Sequence, residues 1–123
     1  MKVSTILSIK AIVSIVFGVA FVLAAQTTMG IYGADLDATG AGMARYVGAT
    51  LLGIGLICAL CRGADDDARR GITLSLTIAD IIGTVVALQM QLAGLMNALG
   101  WVTVAIWLLL AIGMAYSRFV RLA

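Results

Sequence analysis

The sequence predicts an all-α membrane protein: one domain of four transmembrane helices, packed up-down-up-down, with both termini on the cytoplasmic side. Three observations predict it. The first is composition. Of 123 residues, 63% are hydrophobic and 11% charged, whereas a soluble domain is about 45–50% apolar with about a quarter of its residues charged. The second is spacing. The apolar residues fall into four runs, 3–25, 43–61, 71–93 and 98–117, each near the 20 or so residues that a helix needs to cross about 30 Å of hydrocarbon. The third is charge placement. In such a bundle Lys2, Lys10, Arg62, Arg69, Arg70, Arg118 and Arg121 fall on one side and only Arg45 on the other. Positive residues concentrate on the cytoplasmic side of a membrane.

The first run, 3–25, is interrupted only by Lys10. It is longer than the 7–15 or so apolar residues of a signal peptide, so it reads as a span. A Gly- and Asp-rich loop, 26–42, follows, with Tyr32 expected to anchor a short turn at the outer interface. The second run carries two small-residue patterns, Ala49 with Gly53 four apart and Gly48 with Gly55 seven apart. Small residues let helix backbones approach closely in lipid. The partner is a neighbour in the bundle or a helix of another protomer. Cys58 and Cys61, one turn apart, read as inert packing thiols, because no His and no third Cys accompanies them as a zinc ligand. Asp65, Asp66 and Asp67 precede the third run, where Asp67 or a neighbour is expected to cap free helix N–H groups and suit the helix dipole. The fourth run opens with Asn97 as an N-cap and Trp101 in the outer aromatic belt, has Trp107 at mid-depth, and closes on Tyr116, Arg118 and Arg121 as inner anchors. Arg45 is expected as an outer interface anchor, or paired with Asp35 or Asp37.

The third run is the most informative. Thr73, Thr77, Asp80, Thr84, Ala87 and Gln91 recur at spacings of four and three, which puts all six on one stripe of a helix. Polar residues on one stripe turn inward, where they bond across helices or line a wet cavity. Asp80 lies about 13 Å into its span and Lys10 about 10 Å into its own, measured from the same side. An unpaired charge at such depth costs roughly 2.5–3.5 kcal/mol, so Lys10 and Asp80 are expected to pair. The pair fixes helix order and register, or it marks a proton or ion path.

The chain contains no His, no phosphate-binding loop and no dinucleotide fingerprint. It is therefore read as a non-enzyme without metal or cofactor, and its scattered basic residues as a topology signal rather than a nucleic-acid footprint. Ile31-Tyr32-Gly33, Leu36, Gly40, Ala44-Arg45, Gly48-Ala49 and Leu52-Gly53-Ile54-Gly55-Leu56 together resemble the small four-helix bacterial inner-membrane proteins of the DUF4345-like class. That resemblance implies a fold and a location, not a mechanism. The expected function is an accessory or assembly subunit that binds lipid and other membrane proteins, or a second copy of itself, through small-residue helix faces. The alternatives are a small transporter or channel using the polar stripe with Asp80, and a binder of lipid, quinone or another apolar molecule.

Overall fold

A computed structural model describes residues 3–121. Four helices follow one another: α1 (Val3–Ile31), α2 (Ala38–Leu60), α3 (Asp66–Leu92) and α4 (Gly100–Tyr116), the last running into a π-helical turn (Ser117–Arg121). All four, the last taken through Phe119, are long and apolar enough to cross a membrane. Their lengths differ from the hydrophobic runs. Polar N-capping residues, not the edge of the apolar run, set where α2 and α3 start, so both begin five residues early. Asp37 accepts from the Gly40 N–H at 2.7 Å and Asp65 from the Ala68 N–H at 2.9 Å. Asp65 is thus the cap of α3, and Asp66 and Asp67 lie within its first turn.

The expected first loop is mostly helix, because α1 runs on to Ile31. It bends at Ala24, whose φ of −148° and ψ of 53° are not helical. From Val3 to Ala24 is about 32 Å of helix, close to the roughly 30 Å of a bilayer's hydrocarbon core. Beyond the bend the Thr28 hydroxyl donates to the Ala20 carbonyl at 3.3 Å, a contact that the rise over eight residues forbids in a straight helix.

The helices form two hairpins. In the first, α2 lies against α1 through glycine. A Cβ on Gly48 would stand 2.9 Å from the Gly18 carbonyl oxygen, and one on Gly55 3.1 Å from that of Ala11. In the second, Gly83 of α3 faces the indole of Trp107 on α4, which occupies the space a side chain would need. The hairpins meet where α1 and α3 begin and α2 and α4 end. There Val3, Ile6, Leu7, Ala11, Cys58 and Met114 form the core, with Ile54, Ile72 and Leu76 packed around it.

At the opposite end Asn97 joins the hairpins. Its N–H donates to the Tyr32 carbonyl at 2.8 Å and its Nδ2 to the Ile31 carbonyl at 3.0 Å. Two expectations are corrected here. Asn97 does not cap α4, which starts three residues later behind Leu99 with no side-chain cap. Its Oδ1 instead accepts from the Leu99 N–H at 3.0 Å, in the turn before the helix. Tyr32 does not reach out as an anchor. It is 9% exposed, because the latch draws its backbone onto the α3–α4 loop.

Candidate functional site

The polar stripe of α3 faces inward. Thr73, Thr77 and Asp80 are buried, and Thr84, Ala87 and Gln91 are half-buried. Its threonines are occupied by their own helix: Thr73 donates to the Arg69 carbonyl at 2.8 Å, Thr77 to that of Thr73 at 2.6 Å and Thr84 to that of Asp80 at 2.8 Å. Back-bonding of this kind lets a hydroxyl sit in an apolar surrounding at little cost.

The site itself is a buried ion pair between helices long and apolar enough to cross a membrane. Lys10 of α1 donates from Nζ to Asp80 Oδ1 at 2.5 Å, and neither residue is more than 3% exposed. The ammonium also stands 4.9 Å from the ring centroid of Trp107, within cation–π range. Three helices from both hairpins therefore converge on one charge. Asp80 Oδ2 is buried and has no hydrogen-bond partner, so the carboxylate keeps one acceptor unused. Ser14, one turn above Lys10 on α1, is also buried.

The role of Trp107 was not anticipated from sequence, although depth carried a signal. Trp107 lies nine residues from Tyr116, about 14 Å of helix, much the same depth as Asp80 in its run. Hydropathy alone does not show which way the ring faces.

The remaining sequence candidates lie away from the pair. Gly48 and Gly55 are buried against α1, whereas Ala49 and Gly53 face outward, with nothing within 4 Å of a Cβ on Gly53. Geometry explains the split. Positions seven apart share a face, and a step of one residue turns about 100° around the helix. Arg45 is exposed and borders an open cavity of about 510 Å³ beside the α1 bend, along with Leu23, Gln26 and Thr27. It forms no ion pair with Asp35 or Asp37 among the described residues. Asp37 is engaged in capping, and Arg45 lies eight residues farther along the helix. Trp101 is 48% and Tyr116 44% exposed, and Arg118 stacks 5.2 Å from the ring of Phe119. Lys2 lies outside the described residues, as does the side chain of Arg121.

Cys58 is fully buried in the core and Cys61 closes α2, both as free thiols. Asp66 pairs with Arg69 at 2.9 Å. No cluster of three or more His, Cys, Asp or Glu able to hold a metal is found among the described residues. Compared with protein-family profiles, curated proteins and solved structures, the chain matches none.

Proposed function

We propose that this protein is a non-catalytic accessory subunit of a bacterial inner membrane, with both termini cytoplasmic, which docks a transmembrane helix of a partner protein or of a second copy. One observation carries the reading: the small-residue face of α2 that holds Ala49 and Gly53 is open. The helix uses only its Gly48 and Gly55 face inside the protomer, and 17% of its span is buried, against 33% for α1. Close approach between helices in lipid depends on such faces. The basic residues support the orientation. Lys10, Arg62, Arg69 and Arg70 all lie toward the end where α1 and α3 begin, and Arg118 lies at the end of α4 that joins them.

The Lys10–Asp80 pair is assigned to the fold rather than to transport. The hydroxyls beside it, on Thr77 and Thr84, give their protons to carbonyls of their own helix, so neither is set to hand a proton on from Asp80.

Gly53→Ile tests the reading, because the added side chain meets nothing inside the protomer. Protein extracted in mild detergent is expected to lose its associated helix protein, or its dimer, by about tenfold while its melting temperature is unchanged. An undiminished complex, or a parent that is monomeric and partner-free under the same extraction, rules the proposal out.

A further inference from the structure

Beside the bend in α1, the two helices of the first hairpin leave a space between them. On one side of it they touch: a Cβ on Gly48 would stand 2.9 Å from side-chain atoms of Phe21 and Val22. On the other, α1 is tied to the loop before α2, where Gln26 donates from Nε2 to the Leu36 carbonyl at 3.2 Å. The open cavity of about 510 Å³ lies here, a volume within the range of small-ligand sites, about 300–1,000 Å³. Ala24, the residue that bends α1, forms part of its wall.

The wall has two properties that point to one kind of ligand. Its polarity changes across the bend, with Val22 and Leu23 before it and Gln26 and Thr27 after it, and Leu23 is 79% exposed. Its one charge is positive. Arg45 lines the cavity, and no described acidic residue does. The arginine is exposed and has no hydrogen bond or ion pair among the described residues. The carboxylate of Asp37, at the start of the same helix, is engaged by the Gly40 N–H. The other described basic residues, Lys10, Arg62, Arg69, Arg70 and Arg118, belong to the opposite end of the bundle.

A guanidinium offers its N–H groups in a planar fork that matches the paired oxygens of a phosphate. A free inorganic anion would use only the Arg45 part of this wall and leave Val22 and Leu23 idle. A phospholipid carries its phosphate ester next to an apolar tail, and so uses both. We propose that the cavity at the α1 bend binds a phospholipid, its phosphate ester on the Arg45 guanidinium and the start of an acyl chain against Val22 and Leu23.

Native mass spectrometry of the full chain, titrated in detergent with phosphatidylglycerol, tests this. The parent is expected to take up one lipid saturably. Arg45→Gln breaks no bond inside the protein, so it should keep the parent's melting temperature while weakening binding by about ten- to a hundredfold, as the loss of a hydrogen bond to a charged group does. Arg62→Gln, which removes an exposed cation at the opposite end, should bind like the parent. Diacylglycerol with the same chains, lacking the phosphate, should bind the parent about as weakly as the phospholipid binds Arg45→Gln. Inorganic phosphate at the same concentration as the lipid should displace none of it. Ala41→Trp, which narrows the cavity from α2 with Arg45 still in place, should also weaken binding. Undiminished binding by Arg45→Gln or by Ala41→Trp overturns the proposal. So do equal losses in Arg45→Gln and Arg62→Gln, which would mean general charge attraction, or diacylglycerol binding as tight as that of phosphatidylglycerol. Displacement by equimolar phosphate overturns it too, because the site would then read the free anion.

Discussion

Removing either member of the Lys10–Asp80 pair should destabilise the protein severely, and removing both should not. The two residues are 3% and 0% exposed, with Nζ and Oδ1 2.5 Å apart. Deleting one partner of such a buried pair strands the other, at a cost of about 3–5 kcal/mol. The two single losses differ. In Asp80→Val the ammonium keeps the face of Trp107, worth up to about 2 kcal/mol when desolvated, and its long stem can carry it toward the interface. In Lys10→Met the carboxylate loses its one donor and has no stem to move on. Lys10→Met is therefore the worse variant, near the top of that range, and Asp80→Val falls near the bottom. The double variant, with apolar side chains in both places, should lie within about 1 kcal/mol of the parent or be more stable. With each single loss at about 3 kcal/mol or more, that corresponds to a coupling of at least about 5 kcal/mol. Reversible unfolding in mixed micelles, titrated with a denaturing detergent and followed by circular dichroism, measures all four forms. Single losses below about 1 kcal/mol, or a double loss equal to their sum, would refute the reasoning.

Two further substitutions test the packing and the latch. Gly48→Val places its side chain against the Gly18 carbonyl and the Val22 side chain and should cost about 1–3 kcal/mol in the same unfolding assay, as overpacking does. Asn97→Ala removes the side-chain bonds to Ile31 and Leu99 but keeps the backbone bond to Tyr32. It should cost about 1 kcal/mol and speed amide exchange in residues 32–37, with the exchange of the core end unchanged; an exchange pattern identical to the parent's would show that Asn97 holds nothing.

The four helices and the inward stripe were legible because lipid imposes a single rule: apolar outward, polar inward. Thr73, Thr77 and Asp80 obey it at a spacing that reads directly as one face. Lys10 was legible as the partner of Asp80 because it is the one cation deep enough in a span. Three features were not legible, each for a physical reason. The α1 bend is set by Ala24, a residue with no conformational signature of its own. The Asn97 latch joins two loops 66 residues apart in sequence, and no local pattern encodes that distance. The open face of α2 depends on whether Gly48 or Gly53 meets α1. Both lie in small-residue patterns, and only the docked backbone decides between them.

What holds two apolar hairpins together in oil follows from what cannot. Lipid tails are as apolar as leucine, so exchanging lipid for a neighbouring helix gains little from hydrophobicity alone. Within each hairpin the answer is contact: Gly18, Gly48 and Gly55 bring α1 and α2 to backbone distance, and Gly83 admits the indole of Trp107. Between hairpins, Gly113 of α4 receives the Ile6 side chain and Gly33 lies against Asn97, and the apolar core joins them at one end. The directional ties are polar. The charge on Lys10, shared by Asp80 and Trp107, ties α1 to α3 and α4 at one depth, and Asn97 ties α1 to the α3–α4 loop at the far end. A polar tie in lipid carries a penalty for every wrong pairing, because each misplaced partner stays unsatisfied in hydrocarbon. Fixing the order of the hairpins therefore needs few such ties, and these stand at different depths, so a slip of either hairpin by one turn breaks both.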